Sequence, residues 1–205
     1  MLTKNFLFDF FKERVKTMKI NSITTLISFQ KKFMTNATIL KNGKNHECPI
    51  YELDSIEDKD YFEKVTQDKD WKNADHLHEI KADFPENFPR ERTYTIEDTN
   101  EKCLGFINIE NCPEGNKIEI SLLETCPKYA RKNAEREIKG IGQALINFLI
   151  ALAKEKKINS INIPIVQTGA ESFYEKCGFN TSIFPEDDVM LTAKEYDNAL
   201  KKINM

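Results

Sequence analysis

The hydrophobic pattern of the chain changes period near Arg92. From there to Thr125, apolar and polar residues alternate in three runs, which read RTYTIE, CLGFINIE and KIEISLLET. Alternation with a period of two predicts half-buried β-strands. The segments DTNEK and NCPEGNK separate the runs, and their Asn, Asp, Gly and Pro residues are typical of hairpin turns. We therefore predict an antiparallel meander of three strands.

A helical period follows the meander. The predicted helix begins at two glycines, Gly140 and Gly142, and its apolar face consists of Ile141, Leu145, Phe148, Leu149 and Leu152. INSINIPIV then predicts a strand, because its isoleucines recur with a period of two. Strand, helix and strand in this order predict a parallel pair joined by a right-handed crossover. A short helix in TGAESFYEKCGF and a final strand near DDVMLT follow.

Residues 1–45 read as a helical extension of a domain that spans residues 46–205. The extension is amphipathic and ends in the turn-rich segment KNGKN; its apolar residues are Leu7, Phe10, Phe11, Val15 and Met18. Such a helix packs on its own domain or on a second subunit, so a homodimer is one predicted arrangement. CPIYELDSI at 48–56 predicts a strand, and DKDYFEKVTQDKDW predicts a helix capped by Asp58 or Asp60.

Composition narrows the classes of protein that fit. The chain has 205 residues, of which 40% are hydrophobic and 31% charged, enough apolar content for a folded core. Its net charge of −3 disfavours a nucleic-acid partner. Five cysteines without a CxxC pair favour a reducing cytoplasm over a disulfide framework. We predict no metal, because His76 and His78 have no partner at ligand spacing. We predict no membrane partner, because no apolar run reaches ~20 residues.

The two glycines at the helix entrance are the first candidates for chemistry. Glycine inside a helix costs about 0.5–1 kcal/mol relative to alanine, so a pair at this position needs a reason. One reason is ligand binding, because first-turn N–H groups lack intrahelical partners and bind anions such as phosphate. The other reason is a tight helix entrance that needs a positive φ. A dinucleotide fold and a Walker loop are not indicated, because GxGxxG is incomplete and no GK[ST] follows.

Two motifs in this region resemble the GNAT-type N-acetyltransferase superfamily. The family's phosphate loop is commonly [RQ]-x-x-G-x-[GA], and residues 137–142 read EIKGIG, with Glu137 in the first position. The family also shows N-x-x-A-x-x-F-Y-E-K-x-G-F after the next strand, and here Gln167 replaces the Asn. The positions that match are Ala170, Phe173, Tyr174, Glu175, Lys176, Gly178 and Phe179. The resemblance covers about residues 46–195.

The resemblance implies an α/β (α+β) fold with a mixed, mostly antiparallel sheet, a splayed parallel strand pair and flanking helices. It implies acetyl-coenzyme A as co-substrate, with the pyrophosphate at the helix entrance and the pantetheine arm along the third meander strand. The residues expected to bind it are Leu123, Glu124, Thr125, Ile138, Lys139, Gly140, Ile141, Gly142, Gln143, Gln167 and Lys176. Pro164 agrees with the splay, because proline cannot donate a ladder hydrogen bond, although an ordinary bulge would also accept it.

The resemblance also implies which residues accept and donate protons during acetyl transfer to an amine. Such a reaction uses a base for the amine and an acid for the departing thiolate. Tyr174 matches the family's usual acid, and its unperturbed pKa of ~10 keeps it protonated at neutral pH. The alternative for Tyr174 is a packing role.

Glu119 is the candidate base. By the two-residue period it shares a strand face with Ser121, Leu123 and Thr125. Burial among the neighbouring isoleucines would raise the pKa of Glu119 toward a useful range. The alternative is a solvated face without catalytic role, in which case Glu124 or a chain of waters supplies the base.

We therefore predict an acyltransferase of the EC 2.3.1 type that moves an acetyl group to a primary amine of a small molecule or a protein. The acidic run ELDSIEDKDYFEK would suit a cationic acceptor such as a polyamine, a lysine or an aminoglycoside, although a solvated helix face explains it equally. The second reading is a non-catalytic CoA-binding module that serves in regulation or assembly.

Overall fold

A computed structural model describes residues 31–53, 61, 64–65, 67–72, 74, 91–130, 137–164, 166, 169–181 and 189–203. The described residues form one eight-stranded sheet with the strand order β6-β1-β2-β3-β4-β5-β7-β8. The strands are β1 Lys32–Lys41, β2 Lys44–Leu53, β3 Glu91–Glu97, β4 Cys103–Cys112, β5 Lys117–Thr125, β6 Ile138–Lys139, β7 Ser160–Ile163 and β8 Val189–Thr192. The α-helices that the described residues define from end to end are α1 Ile141–Glu155, α2 Glu171–Lys176 and α3 Tyr196–Ile203.

The predicted meander and the parallel pair are both confirmed. β3, β4 and β5 pair antiparallel in sequence order, and β5 pairs parallel with β7 across the α1 connection. The mixed, mostly antiparallel sheet is also confirmed. β7 is shorter than the predicted run, since it ends at Ile163 just before Pro164.

The prediction of a helix for residues 32–45 is wrong. Lys32–Lys41 is a strand, and it forms a hairpin with β2. Asn42 and Gly43 connect the two strands with φ values of 52° and 75°, which is the pair of left-handed residues that a type I′ hairpin turn needs. The Asn-Gly dipeptide therefore closes a hairpin instead of ending a helix. The predicted helix over residues 1–30 and its contacts lie outside the described residues.

Different elements pack on the two faces of the sheet. The first, which we call the α1 face, carries Gly105, Ile107 and Ile109, and the ring of Phe148 from α1 meets Tyr94 there at 4.9 Å. The opposite face, which we call the Trp71 face, carries Phe106, and the indole of Trp71 stacks on this ring at 5.1 Å. A hydrogen bond of 3.2 Å from Trp71 Nε1 to the Cys103 carbonyl fixes the indole there.

β5 and β7 part after three residue pairs. Their pairing runs from Lys117–Ser160 to Glu119–Asn162, and the described residues beyond it show no further pairing. β5 continues to Thr125 against β4 alone. The expected splay is therefore present, and it opens toward the C-terminal ends of both strands.

A β-bulge lies at the start of this splay. β4 residues 105–108 pair in register with β5 residues 122–125, but Ile109 pairs with Ile120, so Ser121 is the extra residue of β5. A bulge of one residue reverses the facing of every side chain beyond it. Leu123 and Thr125 consequently lie on the α1 face, whereas Glu119 and Leu122 lie on the Trp71 face.

We predict that Gly105 is needed for the close approach of α1 to the sheet. A Cβ atom at Gly105 would lie 2.8 Å from Ile141 Cγ2 and 2.9 Å from the Glu124 carbonyl oxygen. Gly105→Ala should therefore lower the free energy of unfolding by about 1–3 kcal/mol, measured by denaturant titration. In Gly105→Ala/Ile141→Ala the combined loss should be smaller than the sum of the two single losses. Additive losses would contradict the contact.

Candidate active site

The entrance of α1 offers a set of unpaired backbone donors. The first hydrogen bond within the helix runs from the Ala144 N–H to the Gly140 carbonyl at 2.8 Å. The N–H groups of the first turn, residues 141–143, therefore have no partner inside the helix. No side chain caps the helix, and its first turn contains no acidic residue. These donors and the helix dipole can together hold an anion such as a phosphate.

The two positions at this entrance, Gly140 and Gly142, need glycine for different structural reasons. Gly140 has a φ of 85°, and the nearest heavy atom to an added Cβ would be Gln143 Oε1 at 4.0 Å. The positive φ therefore explains Gly140, and the absence of a side chain there also leaves open space at the helix entrance. Gly142 instead faces protein, since an added Cβ would meet Phe173 Cζ at 3.2 Å and Thr125 Cγ2 at 3.7 Å. Gly142 allows α1, α2 and the end of β5 to pack closely.

The remaining residues of the predicted phosphate loop divide between strand and helix. Ile138 and Lys139 form β6 and pair with Lys41 and Leu40 of β1. Ile138 is buried, whereas the side chain of Lys139 is exposed. The side chain of Ile141 is buried in the core, and Gln143 is half-buried in the first turn of α1. The sequence motif therefore begins in a strand, and its free donors concentrate at its glycine end.

The end of β5 lies beside this entrance. Leu123, Glu124 and Thr125 are half-buried and lie beyond the last residue pair that β5 forms with β7. The contact between Thr125 and the Gly142 position brings the open edge of β5 to the first turn of α1. Pro164 is exposed directly after β7. The structure thus brings together the predicted positions for a pantetheine arm and a pyrophosphate.

Tyr174 lies on α2 and is 9% exposed. Its ring makes edge contacts with Phe173 at 5.0 Å and with Phe179 at 5.8 Å. Burial, and then the neighbouring Cys177 thiol, raise the pKa of Tyr174 to about 12. The hydroxyl is therefore protonated at neutral pH, as an acid must be. Lys176 is exposed in the last turn of α2, and Gln167 lies outside the described residues.

Glu119 occupies the last residue pair of β5 with β7, directly before the splay. The prediction that it shares a face with Leu123 and Thr125 is wrong, because the bulge at Ser121 reverses the alternation between them. Its carboxylate is not isolated, since Lys117 Nζ donates a hydrogen bond of 2.5 Å to Glu119 Oε1. The hydrogen bond occupies one oxygen of the Glu119 carboxylate.

Two polar residues of β4 were not expected from the sequence. Asn108 is 6% exposed, and Glu110 is half-buried; both lie on the Trp71 face with Glu119. The register of the β4–β5 hairpin brings Glu110 directly opposite Glu119. Counting back from the NCPEGNK turn could have found this pair, because a hairpin turn fixes the strand register.

The comparisons with known proteins agree with this architecture. Residues 50–179 match the family model described as the acetyltransferase (GNAT) family. The chain therefore belongs to the GNAT acetyltransferase family. Among curated proteins, none matches the sequence.

Solved structures share the fold at low sequence identity. A protein from Exiguobacterium sp. 255-15 that is assigned as an acetyltransferase is 14% identical over 75% of this chain and 99% of its own, with a TM-score of 0.51. An acetyltransferase of the GNAT family from Staphylococcus aureus Mu50 is 15% identical over 70% and 99% of the two chains, with a TM-score of 0.44. Mutant forms of the spermidine/spermine N-acetyltransferase SpeG from Vibrio cholerae are 16% identical over 73% and 96%, with a TM-score of 0.46.

The described part of the chain contains no helix with the length and apolar character that crossing a membrane requires.

We predict that a negative charge at Gly140 prevents phosphate binding. Gly140→Asp should weaken CoA binding by at least about tenfold, because the new carboxylate lies at the open helix entrance. Gly115→Asp is the matched control, since Gly115 also has a positive φ of 90° and open space around it, but lies in the β4–β5 turn. Calorimetric titration with CoA measures both. Equal CoA affinity in the folded Gly140→Asp variant and the control would remove the phosphate assignment.

Proposed function

We propose that this chain is an N-acetyltransferase that moves an acetyl group from acetyl-CoA to a primary amine. The observation that carries the proposal is the junction of two open backbone features. The N–H groups of the first turn of α1 have no partner inside the helix, and among the described residues no strand pairs with the β7 side of β5 beyond Glu119. A ligand with an anionic end and an extended amide-containing arm would bind both features at once.

Acetyl-CoA fits these residues. Its pyrophosphate would lie at Gly140 and the N–H groups of residues 141–143, where no acidic side chain of the helix opposes it. The pantetheine amides would pair with the backbone of Leu123 to Thr125, as a further strand would. When bound, the molecule supplies an acetyl group activated as a thioester. The exposed side chains of Lys139 and Lys176 would add positive charge near the phosphates.

Glu119 is the proposed base. It lies where the splay begins, on the face that α1 does not cover. The amine nitrogen would form a bond to the thioester carbonyl carbon, while Glu119 accepts the proton that the nitrogen loses, directly or through a water. The ion pair with Lys117 would have to loosen or be shared for this to occur. Glu124 remains the second candidate for the same role.

Tyr174 is the proposed acid. As the carbon–sulfur bond breaks, its hydroxyl would donate a proton to the departing thiolate sulfur. The pKa of about 12 keeps the hydroxyl of Tyr174 protonated at neutral pH, but it lies above that of an ordinary thiol, ~8.5, so the proton transfer runs against this difference in acidity. Tyr174 is also adjacent to Phe173, which packs against the Gly142 position, so the acid and the phosphate site share one rigid contact.

A non-catalytic CoA-binding module is the second candidate function. The observation that favours it is the 2.5 Å hydrogen bond between Lys117 and Glu119, which occupies one oxygen of the proposed base. With either function the protein would reside in the reducing cytoplasm. The five cysteines, none of which forms a disulfide, support that location.

Release of free CoA from acetyl-CoA across a panel of primary amines tests the proposal. Turnover with at least one amine supports the transferase. Tight CoA binding by calorimetry without turnover of any amine would favour the binding module. Absence of both would contradict the two candidates together.

We predict that Tyr174→Phe separates catalysis from binding. The variant keeps the ring and loses only the hydroxyl, so kcat should fall by about 10²–10⁴-fold while CoA affinity changes little. Tyr196→Phe is the matched control. Burial also raises the pKa of Tyr196 to about 12, but Tyr196 lies on α3, outside the motif. Steady-state rates and CoA titrations on both variants give the answer, and a Tyr174→Phe enzyme as fast as the control would exclude Tyr174 as the acid.

A further inference from the structure

Carboxylates form a row across three neighbouring strands of the Trp71 face. Glu91 of β3 pairs with Glu110 of β4, and Glu110 pairs with Glu119 of β5. One oxygen each of Glu110 and Glu119 and the Cys112 thiol all lie within 4.8 Å of one another. Like charges directly opposite on adjacent strands destabilise a sheet, so a cation near this row would stabilise it.

Among the described residues, the two buried carboxylates of the sheet are each paired with a lysine. Glu97 is in an ion pair with Lys31 at 2.6 Å, and Glu52 is in an ion pair with Lys32 at 2.8 Å. In the row, Lys117 neutralises Glu119 at 2.5 Å. Glu110 is different, because none of the described residues forms an ion pair with it. Glu110 therefore carries a negative charge that a cationic ligand could balance.

Asn108 points to the kind of ligand. It precedes Glu110 by two residues and so lies on the same face, one row nearer the splay. It is 6% exposed, and its Oδ1 atom is buried without a hydrogen-bond partner among the described residues. A buried acceptor without a donor is destabilising, so a donor from a ligand would offset that penalty.

The two residues together fit a cation with N–H donors. A carboxylate and an amide oxygen are both hydrogen-bond acceptors, and an ammonium group has only donors. The row with Asn108 and Leu122 lies beside the opening of the splay, and the row with Glu110 lies two residues away, roughly 7 Å along the strand. A short alkyl chain with an amine at each end spans this distance.

We propose that the acceptor is a small aliphatic diamine or polyamine, that Glu110 holds its second, non-reacting ammonium on the Trp71 face, and that Asn108, one row nearer the splay, accepts a hydrogen bond from the reacting end. This inference rests on the proposed function for the reacting amine, which would lie at the opening of the splay and reach Glu119 through a water. Glu110 determines specificity and positions the acceptor, and it takes no part in proton transfer. α1 packs on the other face of the sheet, and Glu110 and Glu119 are half-buried, so solvent reaches this row of the Trp71 face.

The first test compares butane-1,4-diamine with butan-1-amine as acceptors at the same pH. The parent protein should have a KM at least about tenfold lower for the diamine, since a charge-assisted hydrogen bond is gained. Glu110→Gln should remove most of this preference, with kcat for the diamine changed less than about threefold. Glu114→Gln is the matched control, because it removes the same charge from the exposed β4–β5 turn.

The outcomes separate the inference from the proposed function. Turnover with equal KM values for the two amines in the parent, or an unchanged diamine preference in Glu110→Gln, would overturn the inference and leave the transferase intact. If no amine is turned over, calorimetric titration of butane-1,4-diamine into the CoA-bound protein takes its place. Binding that Glu110→Gln weakens and Glu114→Gln does not would support the site without catalysis, and absence of binding would overturn it.

Asn108→Leu provides a second test that does not depend on charge. If Oδ1 awaits a ligand donor, its removal should leave the melting temperature equal or higher, because the unpaired acceptor is gone. The same variant should weaken diamine binding by roughly tenfold. A lower melting temperature with unchanged diamine affinity would assign Asn108 a structural role and overturn its part in the site.

Discussion

The proposed cofactor site depends on the separation of β5 and β7. These two parallel strands pair over three residues and then separate, which leaves the last residues of β5 with one strand neighbour instead of two. An unpaired strand edge inside a domain is a cost unless something pairs with it. The first turn of α1 lies at the same place, held there by the contact of Gly142 with Thr125 and Phe173. The end of β5 and the first-turn N–H groups of α1 therefore lie side by side.

The bulge at Ser121 decides which side chains accompany that surface. Without it, Glu119 would lie on the same face as Leu123 and Thr125, under α1. With it, Glu119 lies on the Trp71 face beside Glu110 and Asn108. The extra residue therefore separates the two substrates of the proposed reaction. The backbone edge receives the acetyl donor, and the Trp71 face receives the amine.

The periodic parts of the sequence predicted most of this fold. The meander, α1 and the parallel crossover follow from alternating and helical apolar patterns, because burial requires those periods. The bulge could not be predicted, since KIEISLLET alternates as well without a bulge as with one. The Asn42-Gly43 turn carried a clear hairpin signal. The amphipathic pattern of the residues before this turn nevertheless predicts a helix that extends over β1. The pattern of β4 alone does not single out Glu110, because the residue matters only through Glu119, its partner on the neighbouring strand.

Hydrogen exchange of the backbone amides of residues 120–125, with and without CoA, tests the central claim most directly. If the arm of CoA pairs with the open edge of β5, exchange in this segment should slow markedly when CoA is added. Exchange in the β4–β5 turn around Gly115 should stay the same. CoA binding without added protection of residues 120–125 would contradict the assignment of the splay as the cofactor site.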